Sequence, residues 1–278
     1  MIHIVTDSTA QLTPDEIKKN NLTVVPLQVT IDGKTYKDGV DITRQEFSDH
    51  LANDKEFPKT SQPSLGQFIE AYEKIQKEDP DASIISIHLT KVLSGTVETA
   101  RTAAKQVGGE IAVLDSDSTD SGLTFAVMRA KKLADEGKSV AEIMDNLKSF
   151  VPTIMTYVFI NSFDYMVKGG RASRAVGFIS SLIQLKPVIQ LTKGTLKLKY
   201  KCRGLKKMTK IANQVTDEII NNKDISEVGL SYVDDGTAPK KIAAKIKEAR
   251  PDIDVTCRLT SPIVMTHVGP GGFGYIFA

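Results

Sequence analysis

The stretch SIISIHLTKVLSGTVETARTAAKQV, Ser83 to Val107, decides how the chain folds. Its opening SIISIHL is a short, mostly apolar run, the composition of a strand buried on both faces. Its later part sets Val97, Ala100, Ala104 and Val107 on one side at helical spacing. Between the two, Ser94-Gly95-Thr96 marks the passage from strand to helix. A strand that feeds a helix in this way is half of a βαβ unit, and such units build parallel sheets.

Reading outward, the same alternation fills the first half of the chain. IHIVTD and IAVLDS are further strands. Thr13-Pro14-Asp15-Glu16 predicts a helix start, with a hydroxyl cap, proline in the first turn and an acid three residues on. Thr43 and Glu46 repeat that spacing. LTVVPLQVTI, the turn IDGK and KTY predict an excursion through a hairpin. Leu65, Phe68, Ile69, Tyr72 and Ile75 form a helical stripe, and helices are expected around Leu123 to Ala134 and Val140 to Phe150. Short apolar strands between amphipathic helices imply a mostly parallel sheet covered on both faces.

The second half has a different texture. TIMTYVFI predicts a strand, KGGRASR a break, and AVGFISSLIQL an apolar helix. PVIQLTKGTLKLKYKCR predicts a hairpin around Lys193-Gly194. Leu205, Met208, Ile211, Ala212, Val215 and Ile219 predict a long helix, and a further helix is expected to end near Ala249. SEVGLSYV, DVTCRLT, IVMTHV and GYIFA are read as the remaining strands. A hairpin combined with βα units gives a mixed sheet with helices on one face. The boundary falls near Pro152, giving an α/β domain over 1–152 and a second over 153–278.

The totals exclude several classes of function. With 278 residues and a net charge of only +2, no global field draws the chain to nucleic acid. Tryptophan is absent, which argues against a stacking platform for single strands. Cys202 and Cys257 have no metal-ligand spacing and fit a reducing cytoplasm. The amino end reads as a strand and not as a signal peptide, and no apolar run reaches the roughly 20 residues of a membrane span.

Ligands of open parallel sheets sit beyond the carboxyl ends of the strands. Those ends are Thr6-Asp7-Ser8, Thr90 to Ser94 and Asp115-Ser116, a rim rich in hydroxyls with a single nearby lysine, Lys91. It carries neither GxxxxGK[ST] nor GxGxxG, so a nucleotide site is not expected there. Ser94 has three readings: a helix cap, an anion contact at a helix N-terminus, or a nucleophile, although VLSGT misses the first glycine of an elbow. Gly95 lets a ligand approach the backbone. Thr60 and Ser61, in KTSQPS, either cap the next helix or meet the same anion. His267 ends the expected strand before a glycine-rich reversal, where it is either packed or functional. Lys197, Lys199, Lys201 and Arg203 share one strand face, either to block edge pairing or to meet a partner. Arg171, in GGRASR, stands at an expected helix start.

TDST, KTSQPS, LSGT, KGGR with its small-residue helix and a terminal H-x-G-P-G, taken in order over the whole chain, resemble the DegV family. The resemblance implies two α/β domains, an N-terminal three-layer α/β/α domain and a C-terminal two-layer domain with a mixed sheet. It implies a non-catalytic, lipid-binding subunit of a bacterial fatty acid kinase system in phospholipid metabolism. A long-chain fatty acid would lie in a buried tunnel whose acyl pocket is formed by the second domain. Its carboxylate would be held by Thr60, Ser94 and His267, with Ser61 and Gly95 beside them. ATP would bind only to a separate kinase subunit, so no cofactor is expected on this chain. Arg203 matches an arginine tied to that subunit and to phosphoryl transfer, and Arg171 is grouped with it. The AVGFISSLIQL helix, with Phe178 and Leu185, is a candidate tunnel wall. The chain departs from many relatives at Gly272-Phe273. Membrane contact is expected to be transient at most. The competing reading is a stand-alone acyl hydrolase or small-molecule kinase using Ser94 and His267, and a third is a regulatory module using the basic strand.

Overall fold

A computed structural model describes residues 1–53, 57–173 and 185–278. The first half contains β1 (Ile2–Asp7), α1 (Pro14–Lys19), β2 (Thr23–Val25), β3 (Gln28–Ile31), β4 (Lys34–Lys37), α2 (Arg44–Asn53), β5 (Lys59–Ser61), α3 (Leu65–Glu78), β6 (Ser83–His88), α4 (Thr96–Val107), β7 (Ile111–Asp115), α5 (Asp120–Asp135) and α6 (Val140–Phe150). Strands β2-β1-β6-β7 form a wholly parallel sheet. Alternate residues serve opposite faces. Val5 and Ile84 pack with Phe68, Tyr72 and Ala100 of α3 and α4, while Ile4, Ile85 and Ile87 pack with Leu123, Val127 and Ile143 of α5 and α6. This is a three-layer arrangement. The hairpin excursion is larger than a hairpin, because β5 adds to it and gives a separate antiparallel sheet in the order β4-β3-β5.

After a 3-10 turn at Val151–Thr153 come β8 (Met155–Phe159), α7 (Asp164–Lys168), β9 (Lys186–Thr192), β10 (Thr195–Cys202), α8 (Leu205–Asn221), β11 (Glu227–Tyr232), α9 (Thr237–Ala249), β12 (Asp254–Leu259), α10 (Pro262–Val268) and β13 (Phe273–Phe277). The mixed sheet runs β10-β9-β8-β13-β11-β12, with only the β11–β12 pair parallel. One face, through Tyr157, Phe159, Val228 and Tyr275, packs on Met208 and Val215 of α8 and Ile246 of α9. The opposite face, carrying Thr156 and Val158, turns toward the first half of the chain.

Local chemistry explains the helix starts. Thr13 and Glu16 make a capping box, with Pro14 in the first turn, and Thr43 and Glu46 make the same reciprocal bonds. One expected element is corrected: IVMTHV is not a strand but most of the helix α10. Its β-branched residues suggest a strand, but Ser261 accepts from the Val264 amide at 3.3 Å, and Pro262 occupies the first turn. Gly269, at φ +77°, then ends the helix in a conformation that side chains avoid. The helix α7 and the strand β5 are elements that the sequence patterns do not announce, each only a few residues long.

Candidate functional site

A cavity of about 810 Å³, the open solvent at its mouth included, lies between the free face of the mixed sheet and the carboxyl ends of the parallel strands. Its floor is Val158, Ile189, Leu191 and Leu196, which share one face of β8, β9 and β10 through the strand period of two. Leu27, Leu89 and Leu93 come from the first half of the chain, and Ile263, Val264 and Val268 from α10. These side chains make a largely apolar lining into which a set of polar groups projects, which is the usual constitution of a small-molecule site.

The polar group joins Thr60, Gln62, Ser94, Arg171 and His267. The Oγ1 of Thr60 lies 2.9 Å from Nε2 of His267, although 207 residues separate them in the chain. β5 carries Thr60 in register with Val29, and α10, which carries His267, packs on β3 and β5. His267 Nδ1 is buried with no hydrogen-bond partner, close beneath Gly169, whose bare Cα makes room for the ring. Burial lowers the imidazole pKa to about 3, and the positive charge of Arg171 acts in the same direction. A neutral ring has one N–H, and a buried Nδ1–H would be an unpaired donor. The favoured tautomer therefore puts the proton on Nε2, donating to Thr60. The Thr60 hydroxyl proton is then free for an acceptor.

Ser94 is buried, with its Oγ 2.9 Å from Thr96 Oγ1 and 3.4 Å from the Thr96 amide that points to it. This corrects its reading as the cap. Gly95 holds the N-cap position of α4, so Ser94 meets the Thr96 amide from one position before the cap. Arg171 donates from Nε to the Leu93 carbonyl at 3.2 Å and from Nη1 to the Gly169 carbonyl at 2.8 Å. Its guanidinium ties the loop after α7 to the strand end that carries Ser94.

The other expected residues are placed differently. Ser61 reaches the cavity rim, but its hydroxyl lies 3.4 Å from Gln28 Oε1, on the strand face opposite Thr60. Neither Thr60 nor Ser61 caps α3, because Ser64 does so in a capping box with Gln67. Gly95 stands outside the lining, and the space over its Cα is filled by the Gln62 carboxamide, whose Nε2 donates to Thr99 at 2.6 Å. Arg203 is exposed beyond β10, away from the cavity. Lys197, Lys199 and Lys201 are all exposed on that edge strand, but they do not share one face: a bulge between Leu198 and Tyr200 shifts the register, so Leu196 and Leu198 pack on one side of the sheet and Tyr200 and Cys202 on the other. Arg171, grouped with Arg203 in the sequence reading, lines the cavity instead. Of AVGFISSLIQL, only Leu185 is among the described residues; Phe178 and Arg174 lie outside them.

Gln62, Thr9, Thr119 and Thr156 were not read from the sequence as cavity residues. Gln62 sits inside the quoted KTSQPS, but the threonines carry no local signal. Asp7, at the rim of β1, does not reach the cavity. It accepts from Thr9 N and Oγ1, at 3.0 and 2.6 Å, and from Leu89 N at 2.9 Å. His88 Nδ1 lies 3.1 Å from it, and a buried chain continues through Ser86 to Tyr72. Asp7 thereby positions Thr9 and Leu89, which do line the cavity.

Comparison with known proteins agrees with this architecture. A DegV domain-containing protein of Listeria monocytogenes is 40% identical over 99% of this chain and 98% of its own. The crystal structure of DegV from Bacillus subtilis, described as a fatty acid binding protein, superposes with a TM-score of 0.91 at 26% identity, covering 99% of this chain and 98% of that one. A structure from Eubacterium ventriosum, described as a stearic acid-binding protein, gives 0.84 at 26% identity, covering 100% and 98%. The family model described as "Uncharacterised protein, DegV family" matches residues 1–278. The chain belongs to the DegV family.

Proposed function

We propose that this protein binds a long-chain fatty acid in the cavity and presents its carboxylate, in the cytoplasm, to a separate ATP-dependent kinase subunit that makes the acyl phosphate. The observation that carries the reading is the Thr60–His267 pair, 2.9 Å apart, in the polar cluster of a largely apolar cavity. The relatives described as fatty-acid-binding proteins support it. Residues 1–152 supply most head-group contacts, residues 153–278 supply the acyl floor, and His267 reaches back from the second part to meet the first.

Burying roughly 14 methylenes at about 0.8 kcal/mol each contributes on the order of 11 kcal/mol before entropy costs. Hydrogen bonds to the carboxylate add about 1.5–3 kcal/mol each. The chain therefore dominates affinity, and the head group selects the class of ligand. Thr60 and Ser94 donate to the carboxylate, while Arg171 supplies the positive charge that neutral His267 cannot. Arg203 and the exposed lysines along the β10 edge form the basic surface offered to the kinase subunit, with Ser61 at the cavity rim.

A stand-alone hydrolase using Ser94 and His267 finds less support. Ser94 is bonded to Thr96, His267 to Thr60, and no carboxylate orients His267 Nδ1. The proposal is tested by native mass spectrometry of the delipidated protein with stearic acid, where no adduct would refute binding. Adding a kinase subunit and ATP, with hydroxylamine trapping of acyl phosphate, tests presentation. A yield independent of this chain would refute that half.

A further inference from the structure

Beside the main cavity, across β8, lies a second of about 340 Å³, open solvent included, lined by residues of β11 and β13 together with Asp120 and Thr260. Thr156 pairs with Leu191 on one side and Ile276 on the other, and Val158 with Ile189 and Gly274. The two cavities therefore lie side by side on one sheet face, and Thr119, Thr156, Val158, Val264 and Val268 border both.

The dividing wall contains two threonines whose hydroxyls have nothing to bind. Thr119 and Thr156 are 9% and 3% exposed, and neither Oγ1 has a partner. Thr119 holds the N-cap position of α5, where a threonine ordinarily accepts from an amide of the first turn, yet it makes no such bond. Thr156 sits on a central strand, between Leu191 and Ile276 of the neighbouring strands, where valine has the same shape without a polar atom. Among the described residues, six buried side-chain polar atoms lack a partner, and three of them belong to lining residues of this cavity. One is His267 at the head-group end; the other two are these hydroxyls in the apolar wall. Leaving a buried hydroxyl unpaired is costly, and a plain alkyl chain cannot pair it.

Resting on the fatty-acid reading above, we propose that the Thr119–Thr156 wall is a subsite for an oxygen substituent on the chain, so that the ligand class includes mid-chain hydroxy or oxo fatty acids. A chain hydroxyl both donates and accepts, and so satisfies either threonine. The two grooves beside the wall let the substituted carbon lean to one side while the rest of the chain stays on the apolar floor.

The test compares stearic acid with its positional mid-chain hydroxy derivatives by isothermal titration, on the delipidated protein and on Thr156→Val and Thr119→Val. At least one hydroxy isomer should bind the native protein as tightly as stearic acid or tighter, despite its larger desolvation cost. Thr156→Val should weaken that isomer by roughly 3- to 10-fold relative to stearic acid, the worth of one hydrogen bond. Thr119→Val gives an independent reading should the first variant fold poorly. Weaker binding of every hydroxy isomer, with a ratio to stearic acid unmoved in both variants, would overturn the subsite while leaving fatty-acid binding intact. Absence of binding by stearic acid and all derivatives would overturn the parent reading.

Discussion

Replacing His267 by glutamine should remove a specific part of the pH dependence of folding. In the native protein the imidazole is neutral down to about pH 3, whereas in the unfolded chain it takes up a proton near pH 6.5. Between those values the unfolded state binds more protons, so stability rises with pH and is lost on acidification. With those two values, the loss between pH 7 and pH 5 is about 2 kcal/mol. Asp38 acts in the opposite sense, because burial raises its carboxyl to about 7. Its contribution is present below the ordinary carboxylate range and falls as pH rises toward neutrality. Burial also raises the carboxyls of Asp120 and Glu227, so the native curve mixes opposing slopes, and the difference between native and His267→Gln isolates one. Urea unfolding of ligand-free protein, followed by circular dichroism from pH 5 to pH 7.5, measures it. The difference should narrow by about 2 kcal/mol toward pH 5. A difference that stays flat across this range would refute the neutral, buried imidazole, and with it the tautomer that frees the Thr60 hydroxyl.

Further outcomes follow from other contacts. Thr60→Val, which keeps the shape and removes the donor, should weaken stearic acid binding by about 10-fold or more, and Thr60→Ser should restore most of it, as read by titration calorimetry. Arg250 is 2% exposed and donates to the carbonyls of Ile219, Asn222 and Ile225 while pairing with Asp252. Its replacement by alanine should cost about 3 kcal/mol or more in urea unfolding, since three carbonyls and a carboxylate lose their donor together. At Gly229 an added Cβ would collide with Ser121 of α5. Gly229→Ala should therefore destabilise by about 1–3 kcal/mol, and a neutral result would mean that α5 can move off β11.

Periodicity and capping are local properties, so the sequence alone carried the parallel sheet, its flanking helices and the β9–β10 hairpin. Strand SIISIHL and the helix after it are legible because buried faces demand apolar side chains at set intervals. The motifs, taken in order, also carried the family and named Thr60, Ser94 and His267. Tertiary structure decided the rest. IVMTHV has the composition of a strand, and a serine, a proline and a distant packing surface make it a helix. Arg171 looks like a surface arginine until the loop after α7 folds it against Leu93 and Gly169. Thr119 and Thr156 are unremarkable in the sequence, since their meaning lies in having no partner. That depends on every neighbour the fold brings near. Contact across 207 residues, as between Thr60 and His267, leaves no trace in local spacing, because chain distance and spatial distance are joined only by the completed packing.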